Sequence, residues 1–150
     1  MEDAGPQFYT SAMLTLQIMG WDDAKAEAAS IRYEVFVDEQ KVPLEMEVDE
    51  YDPACLHVLA REDGRAIGTG RLLPDGHIGR MAVLKDARGK RVGARMMMVL
   101  TGAARARGDK EVVLSAQTHA LDFYRKQGFV EEGPEYLDAG IPHRTMRRKL

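Results

Sequence analysis

The sequence predicts one α/β layered domain. Three observations carry that reading. The elements run in the order β-α-β-β-β-loop-α-β-α-β-β, and a helix crossing between strands belongs to layered α/β architecture. The 150 residues are 45% apolar and 30% charged, which supplies one buried core and is too apolar for a disordered chain. No repeat, low-complexity tract or linker divides residues 1–150.

Thr15 to Met19 alternates and reads as a short strand. Asp22 or Asp23 caps the helix expected after it, with Ala24, Ala28, Ile31 and Val35 on its apolar face. From Asp38 to Pro53 the pattern breaks up under Pro43, Pro53 and crowded acidic residues. Leu56 to Arg61 and Ala66 to Leu73 are strands joined by the turn Glu62-Asp63-Gly64-Arg65. Pro74-Asp75-Gly76 then turns the chain into a third strand, His77 to Val83, which completes an antiparallel meander. A Gly- and base-rich loop, Leu84 to Arg91, leads to a helix from Val92 to Arg107. Val92, Met96, Val99 and Ala103 share one face of it, and Gly108 sits at its C′ position. Glu111 to Gln117 lacks breakers and is a strand. Thr118 caps a short helix, Ala120 to Gln127, that Gly128 ends. Phe129 to Glu132 and His143 to Lys149 are the last strands. Arg144, Arg147, Arg148 and Lys149 on the final one read as a solvated sheet edge.

Composition excludes several functions. Lys plus Arg number 21 against 24 Asp plus Glu, so no uniformly basic face is expected and nucleic acid is not an expected partner. No apolar run approaches the roughly 18 residues of a membrane span, and Met1 to Met13 lacks a basic-then-apolar signal pattern. Cys55 is the only cysteine, which excludes an internal disulfide and a multi-cysteine zinc site and fits a cytoplasmic protein. The four histidines show no metal-ligand spacing, so no metal is expected. The last strands are candidate contact edges for a homodimer.

The strongest local signal is the stretch Val83 to Ala94, placed between a strand and a helix. First-turn amides of a helix lack internal partners, and the dipole is positive there, so a diphosphate satisfies both. Gly89 and Gly93 let the backbone approach closely, while Arg88, Lys90, Arg91 and Arg95 add positive charge. A basic turn that merely starts a helix has the same spacing. The pattern is neither a nucleoside-triphosphate loop nor a dinucleotide fingerprint.

This loop resembles the acyl-CoA-binding motif of the GNAT acyltransferase superfamily, Arg/Gln-x-x-Gly-x-Gly/Ala, here Arg88-Gly89-Lys90-Arg91-Val92-Gly93. Arg91 stands where the middle Gly is usual. A second stretch, Leu121 to Phe129, is similar to the family's A-x-x-F-Y-x-x-x-G-F segment. Arg32-x-x-x-Phe36-Val37-x-Glu39-Gln40, Pro43, Glu47-x-Asp49-x-x-Asp52, His57, Ala116-Gln117 and Gly140-Ile141-Pro142-His143 resemble the ElaA-like branch. The resemblance spans Thr15 to Lys149. It implies a mixed, mostly antiparallel central sheet with helices on both faces. It further implies an N-acetyltransferase that uses acetyl-CoA (coenzyme A) as cosubstrate and a small-molecule or peptide amine as acceptor.

On that resemblance the strand His77 to Val83 splays from Glu111 to Gln117. Backbone groups of Met81, Ala82 and Val83 then meet the pantetheine arm, and Arg88, Gly89, Lys90, Arg91, Val92, Gly93 and Ala94 hold the phosphates. Lys126 reaches toward the nucleotide, and Phe123 packs nearby in the core. Tyr124 is the expected acid for the leaving thiolate. Gly79 and Arg80 stand where many relatives carry a Glu, so the base is sought among Glu47, Asp49, Glu50, Asp52, His57 and His77, with Glu47 and His77 retained. Glu45, Glu47, Asp49, Glu50 and Asp52 also read as a negative mouth that favours a cationic amine. Two other readings stay open. Arg32-x-x-x-Phe36 and Arg71-Leu72-Leu73-Pro74 also resemble acyl-homoserine-lactone synthases, which are longer and lack the phosphate loop and the Phe-Tyr segment. The missing strand carboxylate leaves a non-catalytic acyl-CoA-binding module as the other.

Overall fold

The computed structural model describes residues 13–44 and 49–150. Its strands are β1 (Leu14–Met19), β2 (Leu56–Glu62), β3 (Arg65–Leu72), β4 (His77–Val83), β5 (Glu111–Gln117), β6 (Val130–Asp138) and β7 (Ile141–Lys149). Its α-helices are α1 (Trp21–Arg32), α2 (Val92–Ala106) and α3 (Leu121–Lys126), and a π-helical segment, Tyr33–Glu39, extends α1. The strands form one sheet in the order β1-β2-β3-β4-β5-β7-β6. Only β4 and β5 run parallel; every other neighbouring pair is antiparallel. This is the mixed, mostly antiparallel α/β architecture that the sequence predicts.

Both faces of the sheet's centre are covered. Val58, Ala60, Ile67 and Leu72 pack with Met96, Met97, Leu100 and Ala104 of α2. Leu59 and Ala82 pack with Trp21, Ala24, Ala28, Ile31 and Val35 of α1 and its extension. Alternate residues of β2 therefore enter different cores, so its middle is buried without a break. Asp63 and Gly64, both at positive φ, make the expected tight turn between β2 and β3.

Several expectations shift in detail. Gly20 precedes α1 without a side-chain cap, and Asp22 and Asp23 lie in the first turn, where the helix dipole favours them. The buried stripe of α2 is Val92, Met96, Met97, Leu100 and Ala104; Val99 and Ala103 flank it, because Met97 rather than Val99 faces the sheet. Thr118 does not cap α3: Thr118–Ala120 form a 3-10 turn, and α3 begins without a side-chain cap. β6 and β7 are longer than expected. Gly133 and Pro134 look like breakers, yet β6 is the edge strand and absorbs them in an irregular stretch between Glu132 and Tyr136. The expected edge on β7 is therefore internal. Arg147 there pairs with Glu132 at 2.9 Å and also with Glu111 of β5.

Candidate active site

The parallel pair β4–β5 is short. It holds only at His77 with Val113 and Ile78 with Leu114, and beyond Ile78 the strands part. The other side of β4 gives a reason. Gly79 registers with Arg71 and Ala82 with Thr69, so Arg80 and Met81 both face the single Gly70 of β3. This bulge, with Arg80 at φ +51°, bends β4 away from β5. The Met81 side chain fills the space beside Gly70 that a Cβ would occupy. The gap is a cavity of about 310 Å³. Gly79, Arg80 and Met81 line it from β4, Leu114, Ser115 and Gln117 from β5, and Tyr124 from α3. Phe36 and Gln40, Asp138 and Ala139, and Ile141 and His143 complete the wall.

The loop before α2 tightens through two left-handed residues, Gly89 at φ +84° and Arg91 at φ +65°. Arg91 thus adopts, with a side chain, the conformation for which glycine is the easy choice. No side chain caps α2. The amides of Val92, Gly93 and Ala94 have no acceptor among the described residues, and the first helical bond of this turn runs from Arg95 N to Arg91 O. Gly93 faces α3 with room to spare, because a Cβ there would lie in ordinary contact, 3.4 Å from Phe123 Cζ.

The loop cations divide by role. Arg88 donates to both Glu39 carboxylate oxygens at 2.6 and 2.7 Å and to Val83 O at 2.9 Å, so its guanidinium ties the loop down. Lys90 lies 3.3 Å from Glu62. Arg91 and Arg95 are exposed and make no ion pair among the described residues. Ala82 faces the α1 core, which leaves only its backbone for a ligand. Phe123 is half-buried rather than in the core, and Lys126 is exposed at the end of α3.

Tyr124 sits between Phe123 and Phe129, its ring meeting theirs edge-on at 4.9 and 6.1 Å. Burial pushes its phenol up to about 12. Its hydroxyl makes no hydrogen bond among the described residues.

The acidic segment behaves otherwise. Arg32 grips Asp52 through two bonds of 3.0 and 2.9 Å. Arg71 bridges Asp52 at 2.8 Å and both oxygens of Asp49 at 2.7 and 2.8 Å, and Arg80 reaches Asp49 at 3.1 Å. The hydrogen bonds from Arg71 outweigh burial and hold Asp49 down at about 2. Burial pushes Asp52 up, but Arg32 and Arg71 more than reverse it and hold that carboxyl below its ordinary range. These two carboxylates, offset by three guanidiniums, neither serve as a neutral-pH base nor make a negative mouth. His57 is also set aside: it is fully buried, outside the cavity lining, Nε2 bonds Asp52 O at 2.9 Å, and burial pushes the ring's pKa down. His77 is exposed and bonds Asp75 at 3.0 Å, outside the cavity lining. Glu45 and Glu47 lie outside the described residues.

The sequence reading misses Asp138 and the cavity role of His143. His143 Nδ1 lies 2.6 Å from Ile141 O, and its ring stacks on Tyr136 with centroids 6.1 Å apart. The signal available for it was the stretch Gly140-Ile141-Pro142-His143. Gln117 Nε2 also donates to Gln40 Oε1 at 3.0 Å across the cavity wall.

Comparisons with known proteins agree with this fold. The family model described as an acetyltransferase (GNAT) domain matches residues 21–150. The Bacillus subtilis protein named uncharacterized N-acetyltransferase YjcF is 40% identical over 126 residues, 81% of this chain and 90% of that one. The crystal structure of an acyl-CoA N-acyltransferase from Pseudomonas aeruginosa superposes with a TM-score of 0.80 at 36% identity, covering 91% of this chain and 99% of the other. Escherichia coli ElaA superposes with a TM-score of 0.81 at 28% identity, with 91% and 99% covered.

Proposed function

This chain belongs to the GNAT acetyltransferase family and is an acyl-CoA-dependent N-acyltransferase. From that premise we propose that it moves an acetyl group from acetyl-CoA to a primary amine of a small molecule or peptide, by direct attack in a ternary complex. The observation that carries the reading is the split between β4 and β5, with Tyr124 on its wall.

Acetyl-CoA supplies the acyl group as a thioester, already activated toward an amine. The chain's residues fit such a molecule in three places. The unaccepted amides of Val92, Gly93 and Ala94 at the start of a 15-residue helix would hold the diphosphate, with Arg91 and Lys126 adding charge. Backbone groups of Met81 and the amide of Val83, on the side of β4 that β5 has left, would bond the pantetheine arm as an added strand. A β4 amide there would polarise the thioester carbonyl, a kind of contact worth on the order of 3 kcal/mol in barrier.

Tyr124 then acts as the acid. A phenol held at about 12 keeps its proton at neutral pH and can give it to a departing thiolate. Direct attack is the reading that the chain's one cysteine supports, since Cys55 is no stand-in nucleophile. Cys55 is buried, donates to Tyr51 O at 3.2 Å, and burial pushes its thiol up, away from the reactive thiolate.

The test is acetyl-CoA with a panel of primary amines and peptide amino termini, read by thiol release and product mass. The reading expects an acetylated amine and intersecting initial-velocity patterns. Absence of turnover with every amine, or parallel patterns, contradicts it.

A further inference from the structure

We propose that His143 is the general base that takes the proton from the acceptor ammonium; this rests on the acetyl-transfer reading above. Three observations converge on it. First, the wall of the cavity holds a side chain of the right chemistry. β4 offers Gly79 and Arg80 there and no carboxylate, whereas His143 lies in the same lining as Tyr124. Second, the tautomer is set. Nδ1 lies 2.6 Å from Ile141 O, and a carbonyl can only accept, so Nδ1 carries a hydrogen and the lone pair of the neutral ring falls to Nε2. Third, the ring is fixed while Nε2 is left available. His143 is buried and stacked on Tyr136, yet Nε2 has no partner among the described residues. A buried imidazole with one nitrogen tied to the backbone and the other unpaired beside a cavity is the arrangement a proton acceptor needs.

The cavity's other charged groups come from different elements: Arg80 from β4 and Asp138 from the end of β6, with the Tyr124 phenol from α3 and the Tyr136 phenol against the ring. Arg80 is bonded to Asp49, which leaves Asp138 as the carboxylate positioned to attract the ammonium.

Nε2 takes one proton from the ammonium, and the amine lone pair forms the N–C bond as the C–S bond breaks. Tyr124 gives its hydroxyl proton to the departing sulfur. The second amine proton and the one on His143 pass to solvent, from which the phenolate is reprotonated, so one proton is released overall.

The experiment uses the full chain, acetyl-CoA and an amine found by the panel. His143→Asn retains an amide donor near the Nδ1 position and removes Nε2. It is expected to lower kcat/KM on the order of 10²-fold near neutral pH, with CoA affinity unchanged. Its pH profile is expected to follow the free amine, so activity recovers as pH rises. Added imidazole is expected to restore activity to His143→Ala. An unchanged profile in His143→Asn, a loss equal at every pH, or no rescue of His143→Ala overturns the proposal while leaving acetyl transfer intact. Absence of turnover by the wild type overturns both.

Discussion

At the acidic segment, Asp49 and Asp52 meet Arg32, Arg71 and Arg80, and both carboxylates are held by guanidinium hydrogen bonds. In the gap between β4 and β5, the Tyr124 hydroxyl and His143 Nε2 lack partners among the described residues. The first region is dense in charge and chemically spent; the second is sparse and poised. Density of titratable side chains is therefore a poor guide to reactivity. What matters is whether a group's proton or lone pair is already engaged.

The difference can be broken most severely at Asp52. Asp52→Ala leaves Arg32 and Arg71 buried without it, and removing one member of a buried ion pair typically costs about 3–5 kcal/mol. Urea unfolding should show that loss; a cost under about 1 kcal/mol would mean the network is incidental. The second probe acts on the other region. Tyr124→Phe should lower kcat on the order of 10²-fold, about 2.7 kcal/mol in barrier, with an unchanged melting temperature. Full activity in that variant would remove its role as the acid.

A third probe uses pH. Asp49 is held at about 2 when folded, below its unfolded value near 4. Its contribution is complete above the unfolded value and is lost as pH falls from about 4 toward about 2. Wild type should lose stability across that window faster than Asp49→Asn, as followed by thermal melts. The smallest effect belongs to the Glu39–Arg88 pair, which has the same two-bond geometry in a more exposed setting, with side chains 35% and 40% exposed. Glu39→Gln should cost less than about 1 kcal/mol by urea unfolding.

Much of this was legible in the chain. The turn Pro74-Asp75-Gly76 before His77 to Val83 and the breaker-free run Glu111 to Gln117 mark both strands of the split, and Gly108 and Gly128 mark two helix ends. The strand–loop–helix order also marks the loop before α2, and the resemblance puts Arg91 at its usual glycine position, which is left-handed here. The rest depended on tertiary partners. Nothing local says that Asp49 and Asp52 meet Arg71, which is 22 and 19 residues away. The stretch Gly140-Ile141-Pro142-His143 marks His143 but not its place in the cavity, because its cavity partners come from β4, β5 and α3. Gly133-Pro134 reads as a strand end, and only its place on the sheet edge lets β6 continue.

The central claim is that the amides opening α2 grip the diphosphate of coenzyme A, and calorimetric titration of coenzyme A into wild type and Gly93→Asp tests it most directly. An Asp in a helix's first turn suits the dipole, so the fold should persist while the added carboxylate repels the phosphates. Saturable heat with wild type and at least about tenfold weaker binding with Gly93→Asp are expected, tenfold being about 1.4 kcal/mol. No heat with wild type, or equal affinity in both proteins, would contradict the account.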